Sequence, residues 1–338
     1  MSRKLLSYTA IGLILGSTAI ADVPKVAVDI APVHSLVSRV MEGVGSPKLI
    51  IPAGASPHEY SLRPSEAKSL QDADMVIWMG EDLAPWMENS IETLSKNAEV
   101  ITLLEESDTK LLDFREGALF EEHDHGDHDD HDKDHDDHDK DHDDHDDHDH
   151  DKDHDDHDDH DDHDGHAHGE HDPHAWLSIE NAQTWLNLVA GKLSAADPDN
   201  AGVYFANAAA AREEINDLVK EVNSILEPVR GRNFVVFHDA YQYFETSFDF
   251  PAAGAISLGD ATDPSAARIA EIQDRVKDEG INCVLSEPQY NANLVATVLS
   301  GTDAKTGVID PLGLGLEPGS KLYGDLIRNM AKALAGCL

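Results

Sequence analysis

Positive charge is scarce in this chain. It has 25 Lys and Arg against 67 Asp and Glu, for a formal net charge of −42. No basic stretch is available to neutralise phosphates, so nucleic acid is excluded as a partner on electrostatic grounds. Long apolar runs are missing beyond residue 20, and nothing after that point is apolar enough to span a bilayer. The sequence has no HExxH, the helix-borne pair of ligands and base that marks many hydrolytic zinc sites. Cysteine is limited to Cys283 and Cys337, and neither has a neighbouring Cys or His to complete a thiolate zinc site.

The first residues do carry one apolar stretch. Arg3 and Lys4 precede Leu5 to Ile20 and the small-residue ending Ala19-Ile20-Ala21, the layout of a secretory signal peptide over residues 1–21. No cysteine stands at the expected cleavage point, which argues against a lipid anchor. The mature chain is therefore placed outside the cytoplasm as a soluble protein. In an oxidising compartment the two cysteines read as one disulfide, tying INCVLSEP to the end of the chain.

About 317 mature residues exceed one ordinary core, so two domains are expected. PKVAVDI, SPKLIIPA, ADMVIWMG and AEVITLL are short β-branched runs that alternate with helix-like stretches at His34 to Val44 and Leu83 to Ser95. NFVVFHDA, DFPAAGAIS, INCVLSEP and TGVIDPLG repeat the pattern, with helices near Pro264 to Glu279, Asn291 to Ser300 and Lys321 to Leu334. Between the two sets lie a helix at Ile179 to Ala195 and a longer one at roughly Asp199 to Val229, which opens at DPDN and closes at Pro228 and Gly231. The expected fold is α/β: two similar parallel-sheet domains covered by helices and joined by one long helix. The boundaries follow as residues 22–198, 199–230 for the joining helix, and 231–338.

Residues 121–172 interrupt the first domain with alternating His and Asp. This window holds 17 of the chain's 21 histidines and 28 acids against three Lys. It has no apolar run, and like charge at that density opposes burial, so it reads as a disordered loop. Imidazole suits zinc, copper and nickel, and carboxylate suits harder ions. The tract is therefore expected to collect divalent metal at several weak, interchangeable positions.

A selective site must come from the other four histidines. His58 (SPHEY) follows a strand-like run, His174 (DPHAWLS) follows the tract, and His238 (VVFHDA) ends an apolar strand. In open α/β sheets ligands bind beyond the carboxyl ends of strands, where these three could converge between the domains. Three imidazoles plus a carboxylate or a water satisfy tetrahedral zinc. Asp310 in GVIDPLG is the preferred fourth ligand, ahead of Glu287 and then Glu59. His34 reads as a helix-start residue outside the set. Imidazoles ligate only when neutral, so affinity is expected to fall as pH drops through their ordinary range near about 6.5.

The segments GASPHEYSLRPSEAKSLQDADMVIWMG, DPHAWLS, VVFHDAYQYF, CVLSEPQ and DPLG, in that order around a His/Asp-rich loop, resemble the periplasmic zinc-binding receptors of bacterial zinc-uptake ABC transporters, the cluster A-I metal receptors. The resemblance implies a metal in the interdomain cleft, ligands at His58, His174 and His238, and a monomer delivering zinc to a membrane permease driven by a cytoplasmic ATPase. It implies a receptor and not an enzyme, with an extracytoplasmic zinc hydrolase as the competing class. Manganese receptors of the same family are the nearer alternative, but they usually place a carboxylate where this chain has His238. Some zinc receptors carry Glu immediately before the first histidine. Here that residue is Pro57, so Asp310 or a water is left to complete the site.

Overall fold

The structure, a computed structural model, describes residues 23–115, 171–257, 266–278, 280–289, 295–297 and 299–338. The signal segment, the body of the His/Asp tract and half of the helix expected at Asn291 to Ser300 lie outside these residues.

Two four-stranded parallel sheets carry the fold. Strands β1 (Val26–Val28), β2 (Lys48–Leu49), β3 (Met75–Trp78) and β4 (Glu99–Thr102) lie in the order β2-β1-β3-β4. Strands β5 (Phe234–His238), β6 (Ala255–Ser257), β7 (Cys283–Ser286) and β8 (Lys305–Val308) repeat the arrangement as β6-β5-β7-β8. β1, β3 and β5 are buried along their whole length, which is why they read as unbroken apolar runs with no alternation. In each sheet the first strand is internal and the winding reverses beside it, so a crevice opens at the carboxyl ends of the strands. Asp29, at that end of β1, accepts from the backbone N–H groups of Ile30 and Met79, and burial pushes its carboxyl up to about 7.

The helices are α1 (Ala31–Val40), α2 (Pro64–Gln71), α3 (Pro85–Leu94), α4 (Ile179–Ala196), α5 (Ala201–Leu226), α6 (Gln242–Phe248), α7 (Ala266–Asp278) and α8 (Leu322–Cys337). The short α2 and α6 were not anticipated from periodicity. Ser178 caps α4 by accepting from the Asn181 N–H, as its side chain suits it to do. α5 has 26 residues, a length of about 39 Å. Its buried positions Tyr204, Ala208, Ala211, Ile215, Leu218, Val222 and Leu226 recur every three or four residues and form one stripe. That stripe packs on α4, α1 and α8, so the long helix is embedded and is not a bare connector. One apolar core runs continuously from the first sheet through α5 into one side of the second sheet, and a smaller core lies under α7.

The disulfide joins Cys283 on β7 to Cys337 at the end of α8 across 54 residues, with Cα atoms 5.7 Å apart. Gly307 on β8 makes room for it: a Cβ there would lie 2.8 Å from Leu285 and 3.1 Å from Cys337 Cβ. Reduction under native conditions is expected to lower unfolding stability by about 2–4 kcal/mol, the usual range for a crosslink of this kind. The check is the urea midpoint with and without reductant, and an unchanged midpoint would show that the crosslink contributes nothing.

Candidate metal centre

His58, His174 and His238 come from three separate places in the chain. His58 sits in the loop between β2 and α2, His174 just ahead of the 3₁₀ turn Ala175–Leu177 that leads into α4, and His238 is the last residue of β5. One ring nitrogen of each lies within 4.8 Å of the other two, and among the described residues these three form the group able to hold a metal. Ring centroids are 4.9 Å apart for His174 and His238, 5.7 Å for His58 and His174, and 6.4 Å for His58 and His238. His174 and His238 are buried and His58 is half-buried. Around them is a pocket of about 210 Å³ whose lining includes Glu59, Trp176, Glu287 and Pro311. It is the crevice between the two sheets.

Two of the imidazoles are oriented by carboxylates. His174 Nδ1 lies 2.7 Å from Asp172 Oδ1, which also accepts the His174 backbone N–H at 2.9 Å. His238 Nδ1 lies 2.9 Å from Glu287 Oε1. A carboxylate only accepts, so in each pair Nδ1–H donates and Nε2 keeps the lone pair that a metal needs. The platform under His174 is itself held. The Tyr243 hydroxyl donates to the Asp172 carbonyl at 2.8 Å, and the Trp176 indole, 5.2 Å from the His174 ring, donates to the Pro311 carbonyl at 2.9 Å.

A model of the family described as zinc-uptake complex component A, periplasmic (ZnuA), matches residues 26–337. The chain belongs to the ZnuA family. It is 48% identical over 328 residues to the high-affinity zinc uptake system protein ZnuA of Paracoccus denitrificans, covering 96% of this chain and 95% of that one. It is 47% identical over 323 residues to the protein of the same name from Brucella abortus, covering 96% and 94%. A crystal structure of ZnuA superposes with a TM-score of 0.70 at 19% identity, covering 94% of this chain and 99% of that one, a likeness of fold. Two parallel-sheet α/β units are thus the ZnuA architecture, and no helix among the described residues is long and apolar enough to cross a membrane.

In this ZnuA chain the carboxylates weighed as a fourth ligand are placed differently from the imidazoles. Asp310 lies two residues beyond β8, and its Oδ1 accepts from the N–H groups of Leu312 at 3.0 Å and Gly313 at 3.1 Å. Burial pushes its carboxyl up while those N–H groups pull it down. It pins its own loop and is not in the group that could hold a metal. Glu287 is engaged by His238, and Glu59 lines the pocket from an exposed position. The orienting roles of Asp172 and Glu287 were not read from the sequence, although Asp172 two residues before His174 was a usable signal. His34 is buried, its Nε2 3.2 Å from the Pro47 carbonyl, a structural partner away from the three.

The described residues on either side of the body of the tract are tied to each other. Asp113 and His171 form an antiparallel bridge, with His171 Nδ1 2.8 Å from Asp113 Oδ1, and the Asp172 N–H donates to the Leu112 carbonyl at 2.8 Å. Arg115 then crosses to the second sheet, where its guanidinium donates to both Asp239, next to His238, and Glu245 at the start of α6.

Proposed function

We propose that the cleft captures one zinc ion through His58, His174 and His238 with a water completing the tetrahedron, and that the protein hands this ion to the permease of an ABC importer. The zinc-uptake family and the names of its relatives support the cargo. The observation that carries the reading is the convergence of three ring nitrogens within 4.8 Å, two of them on imidazoles whose Nδ1 is engaged by a buried carboxylate. An all-imidazole set suits zinc better than manganese, which prefers oxygen donors. Glu287, the buried carboxylate beside the set, is committed to orienting His238, which favours holding an ion over activating a water for hydrolysis. The tract serves as a low-affinity collector or sensor in the oxidising periplasm, after removal of residues 1–21.

The test is competitive titration of zinc and manganese on the chain lacking Asp124 to Gly169. The expected result is one tight zinc equivalent, with manganese at least about 100-fold weaker, as the donor set requires. Loss of tight zinc on deletion would make the tract the binding element and overturn the assignment of the three histidines.

A further inference from the structure

The three imidazoles are not held in the same way. His174 and His238 are oriented at the ring, each by a carboxylate on Nδ1. His58 sits in a loop without regular structure between β2 and α2, and it is the most accessible of the three. Two contacts beside it act on the chain that carries it. The Trp86 indole Nε1–H, at the start of α3, donates to the Pro57 carbonyl at 2.8 Å. On the other side of His58, the Tyr60 ring packs edge-on against the Trp86 ring with centroids 5.8 Å apart, and its hydroxyl donates to Glu66 at 2.9 Å. Glu66 also accepts the Arg63 backbone N–H at 2.7 Å, which fixes the start of α2.

The Pro57 carbonyl and the His58 N–H belong to one planar peptide unit. A hydrogen bond on that carbonyl therefore fixes the plane from which the His58 backbone departs. Proline fixes its own φ at about −65°, which removes one of the two backbone torsions leading into that peptide unit. With Tyr60 held against the same indole, His58 is bracketed on both sides by one side chain.

From this geometry we propose that Trp86 is the positioning residue for His58, setting the third ligand for zinc through the Pro57 carbonyl. The inference rests on the zinc reading above and adds a residue that touches no metal. It also separates the ligands by origin. His174 and His238 form a platform tied into the second sheet unit through Tyr243 and Glu287, and His58 is an arm whose flanking backbone is held by residues of α2 and α3 of the first. Loosening the arm frees one ligand and leaves two in place, so the effect falls on how long the ion stays.

The experiment uses the full chain with Trp86→Phe, which keeps an aromatic ring against Tyr60 and removes the N–H donor. Zinc affinity is measured by chelator competition, and zinc release is followed as the slow phase on transfer to excess chelator. The expected result is about 10-fold weaker tight binding, the lower end of what loss of an outer partner of a ligand produces, appearing as faster release with an unchanged thermal midpoint. Cobalt(II) absorption supplies a signature that a merely structural role would not move: the visible bands of the tight site should shift or weaken. In a His58→Ala background Trp86→Phe should add less than about twofold, because there is then no ligand left to position. Wild-type release kinetics with Trp86→Phe, or an equal loss in the His58→Ala background, would overturn the inference. If Trp86→Phe lowers the thermal midpoint, Tyr60→Phe, which removes only the bond to Glu66, must show faster release for the inference to stand. Wild-type protein lacking any tight zinc would instead defeat the underlying zinc reading.

Discussion

Replacing His238 with alanine is expected to weaken tight zinc binding by roughly 60- to 700-fold. Tetrahedral zinc sites are worth about 10–16 kcal/mol in apparent binding energy, so one of four ligands carries about 2.5–4 kcal/mol, at about 1.4 kcal/mol per tenfold. The variant also leaves the Glu287 carboxylate buried without its imidazole donor, which should cost about 1–3 kcal/mol of apo stability. Affinity and thermal midpoint must therefore be read together. His34→Ala is the matched control. It removes a buried imidazole bonded to the Pro47 carbonyl, and it should cost stability while leaving tight zinc within about twofold of wild type, as an unconnected site should. Tight zinc surviving in His238→Ala would remove that residue from the ligand set.

Much of the fold was legible because its signals are local. The eight runs were recognisable from apolar content between helix-like stretches, the first four from β-branched residues as well, though the hydrogen-bonded strands at these places are only two to five residues long. Periodicity also located α4 and α5 to within a few residues. The short α2 and α6 were missed because eight and seven residues give too few turns for an apolar stripe to show. The three histidines stood out for a different reason. Each follows a motif at the edge of an element, and the crevice rule for open sheets places such edges together.

What stayed hidden was pairing between distant residues. Glu287 was weighed as a ligand, and its bond to His238 spans 49 positions that no pattern links. Asp310 reads in the sequence as the preferred fourth ligand, but a carboxylate just past a strand is also what a tight Pro-Leu-Gly turn uses to hold its own N–H groups. Trp86 reads in the sequence as a core aromatic on a helix face, and its bond to Pro57 becomes visible only when the loop is seen folded back over α3. Arg115, six residues ahead of the tract, gave no sign of partners more than 120 residues away.

Those partners make Arg115→Met the substitution with the largest expected effect on stability. Asp239 and Glu245 are both buried, and one guanidinium serves the pair. Removing the cation strands two carboxylates in the interior, a loss of about 3–5 kcal/mol for a broken buried ion pair. The deficit should depend on pH, and Glu245 fixes the sign. Burial raises its carboxyl above the ordinary range, and Arg115 pulls against that rise. Without Arg115 the folded-state value climbs further while the unfolded value stays near about 4.3. Folding of the variant then takes up a proton, so its stability is greatest below the unfolded value and falls as pH rises through the folded one. Urea unfolding of apo protein should show the full deficit at pH near 7.5 and a smaller one near pH 5, since the carboxylate that lacks its cation can then be neutral. Arg115→Met with Glu245→Gln should recover part of the loss at neutral pH, because replacing both partners leaves fewer uncompensated charges than removing one. A deficit below about 1 kcal/mol would place this pair with ordinary surface ion pairs. A deficit that grows toward acid pH would mean that Glu245 is held ionised by something other than Arg115.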